Sequence, residues 1–260
     1  MKTKLYSLLL GLTLSSASAT VFAGAYDDLI GAAYLDDTRT VMGLVNRGMD
    51  VNSVDPAGNS LLHIAARSGN DGLIAELLKQ KANPNIRNRV GDTPLMLAAY
   101  MGKQAAVDAL LAGGAQINLD GWTPLQYAVF ADQPEMVAHL LAKGAKVDAR
   151  APNQQTALML AAKSGNASVA RLLLNAKADV ELTDQSGETA LTLAQKNNNS
   201  DIVRLIEHPE AAAKAAPPPA TAAPKAAPET APVPVKAPVP QAVEDDVRGE
   251  YVPPMFQTEK

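Results

Sequence analysis

Residues Gly91 to Asn118 read GDTPLMLAAYMGKQAAVDALLAGGAQIN, and the rest of the chain is organised around copies of this stretch. Thr93-Pro94 opens a helix, because a threonine hydroxyl caps free backbone N–H groups and proline is tolerated at the first helical position. Leu95, Ala98 and Ala99 follow at helical spacing, and Gly102 stands where a residue of positive φ ends a helix. Val107, Leu110 and Leu111 mark a second helix, stopped by Gly113-Gly114. The spacing predicts two short helices joined by a tight turn, one supersecondary unit.

The unit recurs. Its opening position holds Gly58, Gly91, Gly121, Gln154 and Gly187, at steps of 33, 30, 33 and 33 residues, so the connection into the third copy is three residues short. The capping position holds Ser60, Thr93, Thr123, Thr156 and Thr189. A small pair follows as Ala65-Ala66, Ala98-Ala99, Ala128-Val129, Ala161-Ala162 and Ala194-Gln195, and the paired aliphatics are Leu77-Leu78, Leu110-Leu111, Leu140-Leu141 and Leu173-Leu174.

This pattern resembles the ankyrin repeat, with its period of about 33 residues and its Thr-Pro-Leu-His-x-Ala signature. An upstream copy keeps Ala32-Ala33, Leu44-Val45 and Val51-Asn52 in register without the cap or the glycine, and is expected to be an N-terminal capping repeat. The implied fold is all-α: an ankyrin-repeat solenoid of helix-turn-helix units with hairpin loops, followed by a disordered Ala/Pro-rich tail. The expected layout is a signal peptide over 1–23, the capping repeat over 24–57, and five repeats over 58–208 (58–90, 91–120, 121–153, 154–186 and 187–208). An Ala/Pro-rich linker over 209–240 and a C-terminal segment over 241–260 complete it. Asp132 and Asn198 replace the helix-ending glycine in the third and fifth copies; both types enter the left-handed region more readily than most, and local irregularity is expected in the third repeat.

Lys2 and Lys4, the apolar run Leu5 to Leu14 and the small residues ending Val21-Phe22-Ala23 read as a secretory signal peptide cleaved after Ala23. The apolar run is about half of the ~20 residues that span a bilayer, which argues against a membrane anchor. The chain has no cysteine, which removes disulfides, thiol catalysis and Cys-based metal sites. The short, simple signal suggests a bacterial periplasmic protein, with no membrane insertion after cleavage. Loss of Lys2 and Lys4 takes the net charge from −4 to −6, and an acidic chain without a basic block argues against nucleic acid as partner. Beyond His208, alanine and proline dominate up to Pro240, a semi-rigid spacer. Tyr251, Val252, Met255 and Phe256 then form a small apolar cluster, either plain disordered terminus or a short motif that docks on a partner or on the repeats.

By resemblance, the family's groove is lined by the two residues before the opening glycine, the one after it, and the two after the small pair. Those positions bring Arg89, Tyr100, Met101, Trp122 and Phe130 into two adjacent repeats, with Arg67 also among the binding positions and Asp92, Asp120 and Lys163, itself a binding position, on the rim. Aromatic and Arg side chains dominate interface energies, so the cluster reads as a protein-binding surface. For Trp122 a second reading stands beside it: the indole folds over the shortened connection and fills the gap.

Chemistry is harder to find. His63 holds the histidine position of the repeat signature, where in the family the ring bonds the capping hydroxyl and nearby backbone. His139 and His208 lie on other elements, so the three do not converge on a metal, and no H-E-x-x-H, G-x-S-x-G or phosphate-loop pattern occurs. The sequence predicts no catalytic residue, cofactor or metal. It predicts a monomeric interaction module that grips one protein partner, as an inhibitor, immunity-type or accessory protein. The alternatives are a tether that links two envelope components through the Pro-rich tail and, with least support, an enzyme.

Overall fold

In each of the five repeats the first helix starts on a reciprocal cap, made by four different pairings of the same two positions. The computed structural model describes residues 24–208. These residues form helices in pairs: α1 (24–34) with α2 (Thr38–Asn46), α3 (Leu61–Ser68) with α4 (Asp71–Lys79), α5 (Pro94–Tyr100) with α6 (Gln104–Ala112), α7 (Pro124–Phe130) with α8 (Pro134–Ala142), α9 (Ala157–Ser164) with α10 (Ala167–Asn175), and α11 (Ala190–Lys196) with α12 (Ser200–Glu207). Among the described residues there is no strand beyond an isolated antiparallel bridge between Val54 and Ser60. The signal peptide expected over 1–23, the linker over 209–240 and the segment carrying Tyr251, Val252, Met255 and Phe256 lie outside the described residues.

The cap hydroxyl of Ser60, Thr93, Thr123, Thr156 or Thr189 accepts the backbone N–H three residues on, and the side chain there answers the cap's own N–H. The answering atoms are His63 Nδ1 (3.1 Å), Met96 Sδ (3.4 Å), Gln126 Oε1 (2.9 Å), Met159 Sδ (3.3 Å) and Thr192 Oγ1 (2.8 Å). The position therefore tolerates any side chain that offers an acceptor at this reach.

Helices of seven to eleven residues are too short to persist alone. They persist here because they stack: α3 on α5, α5 on α7, α7 on α9 and α9 on α11 in one layer, with α2 on α4, α4 on α6, α8 on α10 and α10 on α12 in the other. The first-helix layer is enclosed from nearly every side, so Leu61 to Ala66 and Pro94 to Ala99 are buried without a break. The alanine pairs at 65-66, 98-99 and 161-162 have no exposed surface, and their small size lets neighbouring first helices approach closely. The second helices bury one stripe each, such as Leu73, Ile74 and Leu77 in α4, and leave the other face to water.

Asp132 and Asn198 do adopt positive φ (54° and 59°) where other repeats use Gly69, Gly102 and Gly165, and Asp36 does the same after α1. α7 itself is regular and fully capped, so the irregularity expected in the third repeat falls in the connection before it. Elsewhere the hairpin closes on a pair of backbone bonds: Asp55 N–H to Asn59 O with Gly58 N–H to Asp55 O, and their counterparts at Asn88/Asp92, Ala151/Gln155 and Asp184/Glu188. Between Ile117 and Trp122 no such pair occurs among the described residues. The three missing residues are those of the hairpin tip.

A ladder of side-chain acceptors passes this point unbroken. Asn52, Asn85, Asn118 and Asp148 each accept a backbone N–H from the next connection, at Asn83, Gln116, Lys146 and Asp179, over 2.8–2.9 Å. Asn85 and Asn118 also donate to the carbonyls of Gly114 and Gly144.

Candidate functional site

The face formed by the ends of the first helices and by the hairpins carries the residues singled out from the sequence. Tyr100 and Phe130 are the last residues of α5 and α7 and are half-buried; Met101, just after α5, is exposed. Arg67 is half-buried near the end of α3, and Lys163 is exposed near the end of α9. Arg89 is exposed at the hairpin, and Trp122 is half-buried immediately before the α7 cap. Ile117 of the shortened connection packs against the main core. Arg87 also spans that connection, donating to Gly91 O (2.7 Å) and to Asp120 O (2.8 Å).

Asp92 is the correction. Expected on the rim, it is 1% exposed and takes a hydrogen bond from the hydroxyl of Tyr127, a wholly buried residue of α7. The Tyr127 ring in turn meets Tyr100 edge to face, with centroids 6.4 Å apart. Burial pushes the Asp92 carboxyl upward, opposed by the Tyr127 hydroxyl and by Asn88.

Asp92 ends a continuous polar seam beneath the surface. Tyr34 donates to Asp55 Oδ2, and Asn59 donates to both Asp55 oxygens through its backbone (2.8 Å) and side chain (3.0 Å). Asn88 donates to Asn59 Oδ1 (2.9 Å) and accepts the backbone N–H of Asp92 (2.9 Å), and Asp92 receives Tyr127. Burial and the Asp55 hydrogen bond push the Tyr34 phenol up to about 12, so it stays a donor. The seam runs from the capping repeat to the third repeat.

His63 joins it from below. Asp92 O can only accept, so the ring carries its proton on Nε2 (2.9 Å) while Nδ1 accepts from Ser60 N–H. Burial lowers the imidazole to about 4, which keeps it neutral. His139 lies on the other layer, where Asp108 receives it at 3.0 Å and Lys143 at 2.7 Å. The Lys143 hydrogen bond, with His139, holds Asp108 below the usual carboxylate range. No cluster of three metal-ligating side chains forms among the described residues.

Two residues of the face escaped the sequence reading. Tyr34 and Leu35 follow Ala32-Ala33 as Tyr100 and Met101 follow Ala98-Ala99, and they are 39% and 82% exposed. The Arg67 guanidinium lies 5.5 Å from the centre of the Tyr34 ring. The register that identified the capping repeat already contained them, as the two residues after its small pair Ala32-Ala33.

The chain is 34% identical over 122 residues to a transient receptor potential cation channel subfamily A member 1 homolog of Caenorhabditis elegans, 46% of this chain and 10% of that protein. It is 35% identical over 140 residues to the nuclear factor NF-kappa-B p105 subunit of Mus musculus, 51% of this chain and 14% of the other. It is 30% identical over 151 residues to an L-asparaginase of Dirofilaria immitis, 57% of this chain and 26% of the other. The chain thus spans about a quarter or less of the length of these relatives. The family model for ankyrin repeats in three copies matches residues 29–120, 62–151 and 146–215, and the chain belongs to the ankyrin-repeat family.

Proposed function

We propose that this chain is an exported bacterial protein of the periplasm, monomeric and non-enzymatic, that holds one protein partner on the face formed by the first-helix ends and hairpins. Ankyrin repeats are generally protein–protein interaction modules, which supports the coarse part of this reading. The observation that carries the finer part is the gathering of Tyr34, Arg67, Arg89, Tyr100, Met101, Trp122 and Phe130 on that face, with Lys163 beyond them. Large aromatic and Arg side chains at an accessible surface bury much area at low entropic cost when a partner docks. Inhibitor, immunity-type and accessory roles all fit such a surface, and the partner's identity decides among them.

The test is a pull-down from native periplasmic extract with the chain lacking residues 1–23 as bait, beside a Tyr100→Ala/Trp122→Ala/Phe130→Ala bait with unchanged helical circular dichroism. One protein recovered by the first bait and lost by the second supports the reading. The same protein recovered by both removes these aromatics from the binding site. A second reading, tethering, is favoured by the Ala/Pro-rich spacing of 209–240 ahead of Tyr251, Val252, Met255 and Phe256. It predicts that deleting residues 209–260 loses one of two recovered proteins.

A further inference from the structure

The face is not uniform. Five large apolar side chains stand exposed among the described residues, and all precede Gly102: Tyr34, Leu35 and Met101 at first-helix ends, Val54 and Val90 on the hairpins. The equivalent places in the last two repeats hold Lys163-Ser164 and Lys196-Asn197.

Its charges are equally uneven. The chain has more acids than bases, 27 Asp and Glu against 23 Lys and Arg. On this face the acids are nevertheless engaged. Asp55 and Asp92 are buried in the seam, Asp36 receives Ser68, Asp132 receives Asn166, and Glu188 is paired with Lys196. Arg67, Arg89 and Lys163 enter no ion pair among the described residues. The face therefore offers apolar side chains together with cations outside any ion pair; Asp36, Asp120 and Asp132 are its exposed acids, the first and last hydrogen-bonded to Ser68 and Asn166.

Spacing adds a third constraint. Packed helices lie about 8–10 Å apart, so equivalent side chains of successive repeats recur at about that interval. An extended chain rises about 3.1–3.3 Å per residue, and in polyproline II every third residue returns to the same side. A segment laid across the first helices presents one side chain to each repeat when its anchors are three residues apart.

We propose that this face holds an extended acidic protein segment whose apolar side chains recur at every third residue, seated between Tyr34 and Lys163, with its carboxylates against Arg67, Arg89 and Lys163. This rests on the reading of the face as a protein-binding surface and names the chemistry of what binds. The apolar anchors supply most of the affinity, and the free cations set direction and reject basic sequences.

The experiment is a random-peptide display selection on the full chain. Selected peptides are then titrated by fluorescence anisotropy against three forms: the unmodified chain, Arg67→Ala/Arg89→Ala/Lys163→Ala, and Tyr100→Ala/Trp122→Ala/Phe130→Ala, each checked by circular dichroism and thermal melting. The expected result is enrichment of aliphatic or aromatic residues three apart with Asp or Glu between them. The cation variant binds these peptides about tenfold or more weakly, and binding to the unmodified chain weakens as salt rises. Selection of neutral or basic peptides, absence of the three-residue period, failure to enrich any peptide, or equal binding by the cation variant overturns the proposal. So does displacement of the peptides by a single-stranded oligonucleotide, which would assign the cations to nucleic acid. If the pull-down partner is lost with the aromatic variant while no acidic peptide is selected, the face remains a binding surface and this proposal alone falls. If the aromatic variant keeps both partner and peptides, the reading of the face itself falls.

Discussion

Tyr127 and Asp92, 35 residues apart and both buried, share a hydrogen bond in which the phenol donates to the carboxylate. The other carboxylate oxygen, Oδ2, is buried without a partner, so the Tyr127 hydroxyl is a principal compensation for enclosing this charge. Tyr127→Phe keeps the ring against Tyr100 and removes only the donor. It is expected to cost about 1–3 kcal/mol, measured as a fall in the urea midpoint at unchanged m-value. Asp92→Asn keeps an acceptor for Tyr127 and discards the buried charge, and should cost less. An unshifted midpoint for Tyr127→Phe would mean that the bond contributes nothing to stability.

His63 makes the fold sensitive to mild acid. Its folded-state pKa of about 4 lies below the ordinary 6.5, so the unfolded chain takes up the proton first as pH falls. The contribution is complete above pH 6.5 and is lost between 6.5 and about 4, at up to ~1.4 kcal/mol per pH unit. Asp92, raised by burial, acts in the opposite sense: its ionised form is disfavoured in the fold, and lowering the pH towards its ordinary 3.8 relieves that. Gln126 does His63's work in the third repeat without titrating, accepting from Thr123 N–H and donating to Ala149 O and Gln155 O. His63→Gln should therefore fold and show a flatter stability profile between pH 6.5 and 4, read from urea midpoints. An unchanged slope would place the acid sensitivity elsewhere.

The contrast between His63 and Asp92 shows what the sequence could tell. His63's place was legible because the cap bonds are local, three residues apart, and repeat with the period. Helix spacing, the alanine pairs and the positive-φ turns at Asp132 and Asn198 were legible for the same reason. Asp92 was misplaced because its partner lies one repeat away on Tyr127, and no periodic position announces a tyrosine that reaches back. The middle of the seam does use a repeating position, since Asp55, Asn88 and Asp184 each accept the backbone N–H four residues on; its ends, Tyr34 and Tyr127, are particular to single repeats. Repetition reveals what is shared, and the candidate site is built from what is not.

The Asn ladder bears unequal loads. Asn85 holds the shortened connection by accepting from Gln116 N–H and donating to Gly114 O, and no hairpin pair closes that connection among the described residues. Asn52 holds the connection at Asn83, which also closes on its own turn at Asn88 and Asp92. Asn85→Ala should therefore cost more than Asn52→Ala, about 1–2 kcal/mol against less than about 1. Hydrogen exchange at Gln116 checks it: protection should fall in Asn85→Ala and hold in Asn52→Ala. Equal losses would mean that Arg87, through Asp120 O, carries the shortened connection by itself.

The two readings of Trp122 can be separated because it is the chain's one tryptophan. Counting from the helix side, Leu119 and Asp120 match Ile86 and Arg87, so the missing residues correspond to Asn88, Arg89 and Val90. Inserting Asn-Arg-Val between Asp120 and Gly121 restores the usual length and lets the hairpin tip close. If Trp122 is a contact residue seated on the α7 cap, its emission maximum should stay within a few nanometres of the parent and stability should change by less than about 1 kcal/mol, since surface loops tolerate small insertions. If the indole fills the gap, the restored tip displaces it into water, the emission shifts red, and part of the apolar burial is lost, roughly 1–2 kcal/mol for a half-buried ring. We expect the first outcome, because Ile117 and Arg87 already occupy the shortened connection. A red shift with lost stability would make Trp122 a packing residue and leave Tyr34, Tyr100, Met101 and Phe130 as the apolar part of the face.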